Sequence, residues 1–319
     1  MPRLSVRTSG AEDVTERVDR GREDTMEDQA VCCYRHPQRE TGITCTRCER
    51  PICPECMISA SVGFQCPECV GGRASAGSGP AAPGPSPRAS QPRTLAGGAI
   101  TSDPRLLTKI LIVLNLVIWL VALGAGDRFV DDLDLVGRAY DPGAGDIVGV
   151  AEGQWYRLVT SVFLHQQVMH IAFNMLSLWW IGGPLEAALG RARYLTLYLL
   201  SGLGGSALSY LLAAQNQPSL GASGAIFGLL GATAVLMRRL QYDMRPVIAL
   251  LALNLLFTFT WSGIAWQAHV GGLVVGTAVA YGMVHAPRQR RALVQWGTCA
   301  VALLAMIAVI WVRTVELTG

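Results

Sequence analysis

The chain of 319 residues is 51% hydrophobic and only 15% charged, with a mean hydropathy of +0.34. These values argue against a soluble protein of this length and for a polytopic membrane protein. The net charge of +3 hides a segregation: residues 1–70 hold most of the cysteines and many of the charges, and residues 106–312 hold nearly all the long apolar runs.

Residues 1–29 are polar and charged, without the apolar centre of a signal peptide. They are expected to be disordered and cytosolic, with Met26 as an alternative start. Eight of the nine cysteines lie between Cys32 and Cys69, and reduced thiols on the cytosolic side favour metal binding over a disulfide framework. The pairs are Cys33 and His36, Cys45 and Cys48, Cys53 and Cys56, and Cys66 and Cys69, each separated by two residues. That gap lets both side chains of a pair turn toward one ion, so a structural module over 30–70 with two tetrahedral zinc ions uses all eight. Cys32 is an alternative to Cys33, and unmetallated thiols are the plainer reading. The spacing resembles B-box-type zinc fingers, which implies that Cys33, His36, Cys53 and Cys56 share one ion and Cys45, Cys48, Cys66 and Cys69 the other; sequential pairing is the alternative. With so few apolar residues in the module, metal supplies most of its folding energy. Arg35, Arg39, Arg47 and Arg50 are offset by Glu40, Glu49, Glu55 and Glu68, which favours a protein partner over nucleic acid. Residues 71–104, rich in Gly, Ala, Ser and Pro, read as a flexible linker.

Seven candidate spans follow, at about 106–125, 168–189, 194–214, 222–237, 246–261, 264–284 and 293–312. Arg191 and Arg193 follow the second, Arg238, Arg239 and Arg245 the fourth, and Arg288, Arg290 and Arg291 the sixth, so these short loops are expected on the cytosolic side. The loops after the third span, around Asn216 to Pro218, and after the fifth, around Ser262 to Ala265, lack Lys and Arg. An inside N-terminus and an outside C-terminus result. The long loop 127–167, acidic and with an amphipathic piece from Trp155 to Leu164, lies on the outer side.

With that topology the second, fourth and sixth spans run from outside to inside, and each carries a polar group near its outer end: His170, Ser223 and His269. Such groups are costly in a bilayer and mark function. The fourth span has about 16 apolar residues before Arg238, roughly 24 Å of helix against a core of about 30 Å. Ser223 therefore starts a helix beneath the outer face, where unpaired backbone N–H groups suit a developing oxyanion. Gly224 with Gly228, and Gly272 with Gly276, form small-residue ridges that let the two helices approach and bring Ser223 to His269. Taken singly, a membrane Ser bonding back to its own helix and a structural His are the plainer readings; the conjunction outweighs them. Glu186 lies about four turns from His170, some 24 Å down the helix, and Asp243 falls in a cytosolic loop, so no third triad member is expected. The chemistry is that of a Ser–His dyad, with Ser223 as nucleophile and His269 as general base. His170 and Asn174, one turn apart, supply donors to the oxyanion.

At these residues the sequence resembles the rhomboid family of intramembrane serine proteases, over roughly 105–313. Gly221-Ala222-Ser223-Gly224 is similar to the family's GxSG motif, His269-Val270-Gly271-Gly272 with Gly276 to its histidine helix, and His170-x-x-x-Asn174 to its oxyanion motif. Trp155-Tyr156-Arg157, His165 and Glu186-x-x-x-Gly190 resemble family elements taken here as structural. Phe227 stands where many members stack a Tyr beneath the catalytic imidazole. The resemblance implies an all-α polytopic membrane protein with a six-helix core, to which 293–312 adds a seventh helix. It also implies cleavage, without a catalytic cofactor, of transmembrane segments of other proteins in the lipid bilayer, here the cell membrane. The substrate would pass the fifth helix, Pro246 to Trp261, and unwind near Ser223. A non-catalytic relative that binds membrane proteins is the competing reading, and retention of both Ser and His speaks against it. A transporter is a third, but no matched pair of interrupted helices or midplane charge cluster supports it.

Overall fold

A computed structural model describes residues 31–60, 62–71, 93–260 and 263–319. The expectations for 1–29, for most of the linker and for Trp261 and Ser262 lie outside the described residues. The chain divides into two compact units, Met1–Ala89 and Ser90–Gly319.

In the first unit, β1 (Ile58–Ser59) and β2 (Phe64–Gln65) form a two-stranded antiparallel hairpin, and α1 (Pro67–Val70) is a single turn. Its core is Ile52 among six buried cysteines. Hydrogen bonds cross between chain segments, such as Thr41 Oγ1 to Ile52 O at 2.7 Å and Arg47 Nη1 to Cys69 O at 3.0 Å.

The second unit is helical. Its long helices are α2 (Leu106–Ala125), α5 (Val168–Leu189), α6 (Arg191–Leu212), α7 (Ser223–Arg239), α8 (Arg245–Thr260), α9 (Trp266–His285) and α10 (Arg291–Thr318). They fall on the candidate spans, with α6 starting earlier and α10 running on to Thr318. Between α2 and α5 lie the short helices α3 (Asp127–Asp131) and α4 (Arg157–Thr160) and a hairpin of β3 (Ala139–Asp141) with β4 (Asp146–Val148). Among the described residues four segments are long and apolar enough to cross a membrane: Leu106–Ala125, Arg191–Leu212, Trp266–His285 and Arg288–Thr318. Helix α5 is long but carries polar residues, and α7 and α8 are short, with 17 and 16 residues.

Helix ends in an apolar surround must find partners for their free N–H and C=O groups. Glu186, buried on α5, accepts from Leu107 N, Thr108 N and Thr108 Oγ1, each at 2.9 Å, and so caps the start of α2. A carboxylate at a helix N-terminus also meets the positive end of its dipole. The same C-terminal end of α5 also holds part of the segment read as linker, which corrects that reading. Residues 93–104, expected to be flexible, fold onto the helices: Ala96 N donates to Ala188 O at 3.2 Å, and Gln295 Nε2 of α10 donates to Ala96 O at 2.9 Å. The segment makes a tight turn, with Thr94 N bonded to Gly98 O and Gly97 N to Thr94 O, and its small residues let that turn sit against the end of α5, since a Cβ on Gly98 would press on the Leu189 carbonyl.

Helices α7 and α9 touch backbone to backbone. A Cβ on Gly272 would overlap the carbonyl of Gly224, and one on Gly276 would overlap the Cα of Gly228. Helix α6 joins them through Gly204 and Gly205, which face Gly271 and Ala268 of α9. Helix α10 packs on α6 and α9 through a stripe of Gln295, Cys299, Met306 and Ile310. In the long loop, Arg157 is buried and donates to Gln154 Oε1 at 2.6 Å, Asp131 O at 2.7 Å, and Asp134 O and Oδ1 at 3.0 and 3.1 Å. That side chain is structural.

Candidate active site and metal centres

The segment before α7 is pinned to the long loop by Leu135 N to Ser219 O at 2.9 Å, Ser219 N to Leu135 O at 3.0 Å, and Gly221 N to Ser161 O at 2.9 Å. Gly221 has φ +121°, which disfavours any side chain, and a Cβ there would strike Cε1 and Nε2 of His170. Two residues later the helix begins, and Ser223 is its first residue. The N–H groups of this first turn have no intrahelical acceptor.

His269 sits on the fourth residue of α9 and is buried. Its Nε2 is 2.8 Å from Ser223 Oγ. Phe227, one turn into α7, stacks on the imidazole with centroids 4.2 Å apart and planes 13° from parallel. Ring stacking limits rotation of the imidazole, so it faces the hydroxyl edge on. The other ring nitrogen, Nδ1, lies 2.8 Å from Thr258 Oγ1 on α8. Thr258 escaped the sequence reading, which sought only a carboxylate as third member. A hydroxyl near the C-terminal end of a mostly apolar helix was the available signal.

His170 and Asn174 also reach this end of the bundle. The Asn174 amide is already engaged, with Nδ2 3.0 Å from His165 Nε2, and the two histidine rings lie 5.1 Å apart. Burial, with a smaller effect from neighbouring His170, pushes the His165 imidazole down to about 4. The Asn174 amide nitrogen can only donate, so His165 Nε2 is the acceptor, and Ala222 N points at the same atom from 3.5 Å. His165, expected to be structural, is the support that aims Asn174.

A hydroxyl at a helix start, 2.8 Å from a stacked imidazole and with further histidines nearby, is an arrangement able to carry general-base chemistry. The family model described as "Rhomboid domain" matches residues 152–286. Rhomboid protease GluP of Bacillus subtilis (strain 168) is 40% identical over 141 residues, covering 42% of this chain and 27% of that protein. Putative rhomboid protease YdcA of the same organism is 37% identical over 155 residues, covering 47% of this chain and 78% of YdcA. The chain belongs to the rhomboid family. Rhomboid protease AarA of Providencia stuartii is 30% identical over 168 residues, covering 44% of this chain and 59% of AarA. The family and the four apolar helices together make this a membrane protein. The match takes in Ser223, His269, His170 and Asn174 and leaves the cysteine module of this rhomboid outside.

That module gathers its eight candidate ligands in two sets, Cys33, His36, Cys53 and Cys56, and Cys45, Cys48, Cys66 and Cys69, with the donor atoms of each set within 4.8 Å of one another. These are the sets implied by the B-box resemblance, and the sequential alternative is not formed. His36 Nδ1 lies 3.3 Å from Cys53 Sγ, 3.4 Å from Cys56 Sγ and 3.9 Å from Cys33 Sγ, and Cys48 Sγ lies 3.7 Å from Cys66 Sγ. Metal bonds of about 2.3 Å to sulfur and about 2.0 Å to nitrogen, set tetrahedrally, require S–S and S–N edges of roughly 3.8 and 3.5 Å. The ligand sets fit a tetrahedral ion, and the sulfur separations are far beyond a disulfide bond of about 2.05 Å.

Proposed function

We propose that this rhomboid is an intramembrane serine endopeptidase that cuts transmembrane segments of other membrane proteins. The observation that carries the reading is the 2.8 Å contact between Ser223 Oγ and His269 Nε2. His269 takes the hydroxyl proton as Ser223 Oγ attacks the scissile carbonyl, then returns it to the departing amine, leaving an acyl ester on Ser223. Water, deprotonated by the same imidazole, releases the ester as a new carboxyl end and restores the hydroxyl. The tetrahedral oxyanion lies against the first N–H groups of α7 and the side chains of His170 and Asn174. Names of relatives that are called proteases support this reading, as does retention of both Ser and His.

The proposed protein lies in the cell membrane with its N-terminus cytosolic and its C-terminus outside, which the arginines after α5, α7 and α9 support. Single-cysteine substitutions are expected to react with an impermeant maleimide in the 127–167 loop and not beside Arg288; external labelling at Arg288 contradicts this orientation.

The module over 30–70 is proposed to hold two structural zinc ions and to contact a protein partner, with no part in catalysis. Zinc of this kind contributes on the order of 10–16 kcal/mol of apparent binding energy, which offsets the small core around Ile52. A fragment of residues 26–75 is expected to carry two zinc ions by elemental analysis and to lose its circular dichroism signature with a chelator. One ion or none, or a fold indifferent to chelation, contradicts the assignment.

Ser223→Ala and His269→Ala are each expected to abolish cleavage of a labelled transmembrane peptide in proteoliposomes while leaving an inserted protein. The double variant is expected to be little worse than either, because the two residues act as one unit. His170→Ala and Asn174→Ala are milder, about tenfold to a thousandfold in rate. Peptide binding without cleavage by the folded wild type favours the non-catalytic reading.

A further inference from the structure

Helix α8 turns one face inward. Val247 and Thr258 are its buried residues, and Leu251, Asn254 and Leu255 are half-buried between them. These positions repeat as one helical stripe. Ile248, Leu256 and Phe259 are exposed. Thr258 ends the inward stripe and is only 3% exposed.

Its hydroxyl has two partners, Asn254 O at 2.7 Å and His269 Nδ1 at 2.8 Å. The first is the common bond from a helical Thr to the carbonyl four residues earlier, and Thr260, Thr233, Thr277 and Thr298 each make it too. By itself that bond signifies only a satisfied side chain. The second contact distinguishes Thr258. A hydroxyl has one proton and two lone pairs. With the proton given to Asn254 O, the oxygen meets Nδ1 only as an acceptor, so Nδ1 carries the ring proton. A neutral imidazole has one N–H, and Nε2 is then the bare nitrogen that faces Ser223 Oγ.

We infer that Thr258 is a positioning residue that fixes His269 in the tautomer able to act as base toward Ser223, in the place that an acidic residue holds in a three-membered triad. The inference rests on the proposed Ser223 and His269 roles. In the opposite tautomer an Nε2–H would point at Ser223 Oγ and no proton could be taken. The Thr258 oxygen also holds the Nδ1–H once the ring becomes imidazolium, without a buried negative charge. The groups around the ring are Ser223 and Phe227 of α7, Thr258 of α8 and His170 of α5.

The test uses the full chain in proteoliposomes with a fluorophore-and-quencher transmembrane peptide, comparing wild type, Thr258→Val, Thr258→Ala and Thr258→Ser. The Val and Ala variants are expected to lose roughly tenfold to a hundredfold in kcat at unchanged KM, the loss of one hydrogen bond to a group that becomes charged. The Ser variant, which keeps the hydroxyl, is expected to stay within about threefold of wild type, a rescue that lost packing would not give. In wild type, the 15N signals of His269 are expected to show a protonated Nδ1. An Nε2–H ring in wild type, unchanged kcat in Val and Ala, or a Ser variant as slow as Val overturns the inference while Ser223-dependent cleavage leaves the protease reading intact. Absence of cleavage by folded wild type overturns that reading and this inference with it.

Discussion

The backbone contact between α7 and α9 is the constraint on which the rest of the site depends. Apolar helices gain no hydrophobic free energy from meeting each other in lipid, so their association relies on close packing and polar contacts. Glycines at 224, 228, 272 and 276 remove the side chains that would keep the axes apart. Ser223 precedes the first of these glycines and His269 lies three residues before Gly272. The helix separation therefore sets the distance from Oγ to Nε2 directly. A larger residue in this seam alters that distance without touching either side chain.

Around the seam, polar pins hold the scaffold. Glu186 caps α2, Ala96 joins the end of α5 to Gln295 of α10, and Arg157 gathers the carbonyls of the long loop. Each satisfies backbone groups that an apolar surround cannot. Helix α8 has fewer such ties and exposes most of its surface. Its one buried hydroxyl nevertheless touches the imidazole, at the ring nitrogen that does not face Ser223. Any displacement of α8 away from α9 would withdraw the Thr258 hydroxyl from His269 Nδ1.

Much of the site was legible because the polar residues stand out against apolar helices. Ser223, His269 and His170 each occur near the same end of a span, and the flanking glycines mark the close approach. The long helices follow from apolar runs broken by arginines and glycines, and the grouping within the cysteine module follows from the resemblance, spacing having left sequential pairing open. Composition misled at 93–104, where small residues read as flexible but form a tight turn against the end of α5. Thr258 was missed for a different reason. Threonine in an apolar helix ordinarily bonds back to its own turn, and only the three-dimensional approach of α8 to α9 gives it a second partner. The link from His165 to Asn174 is likewise invisible in sequence, since nine positions separate them across a loop and a helix start.

The central claim is that Ser223 is a nucleophile activated by His269 within the helical bundle. The most direct measurement exposes the full-length protein in native membranes to a serine-directed fluorophosphonate and maps the adduct by mass spectrometry. The account predicts an adduct on Ser223 in wild type and its loss in a folded His269→Ala variant. A folded wild type without that adduct, or equally fast modification of Ser223 in the absence of His269, would contradict it.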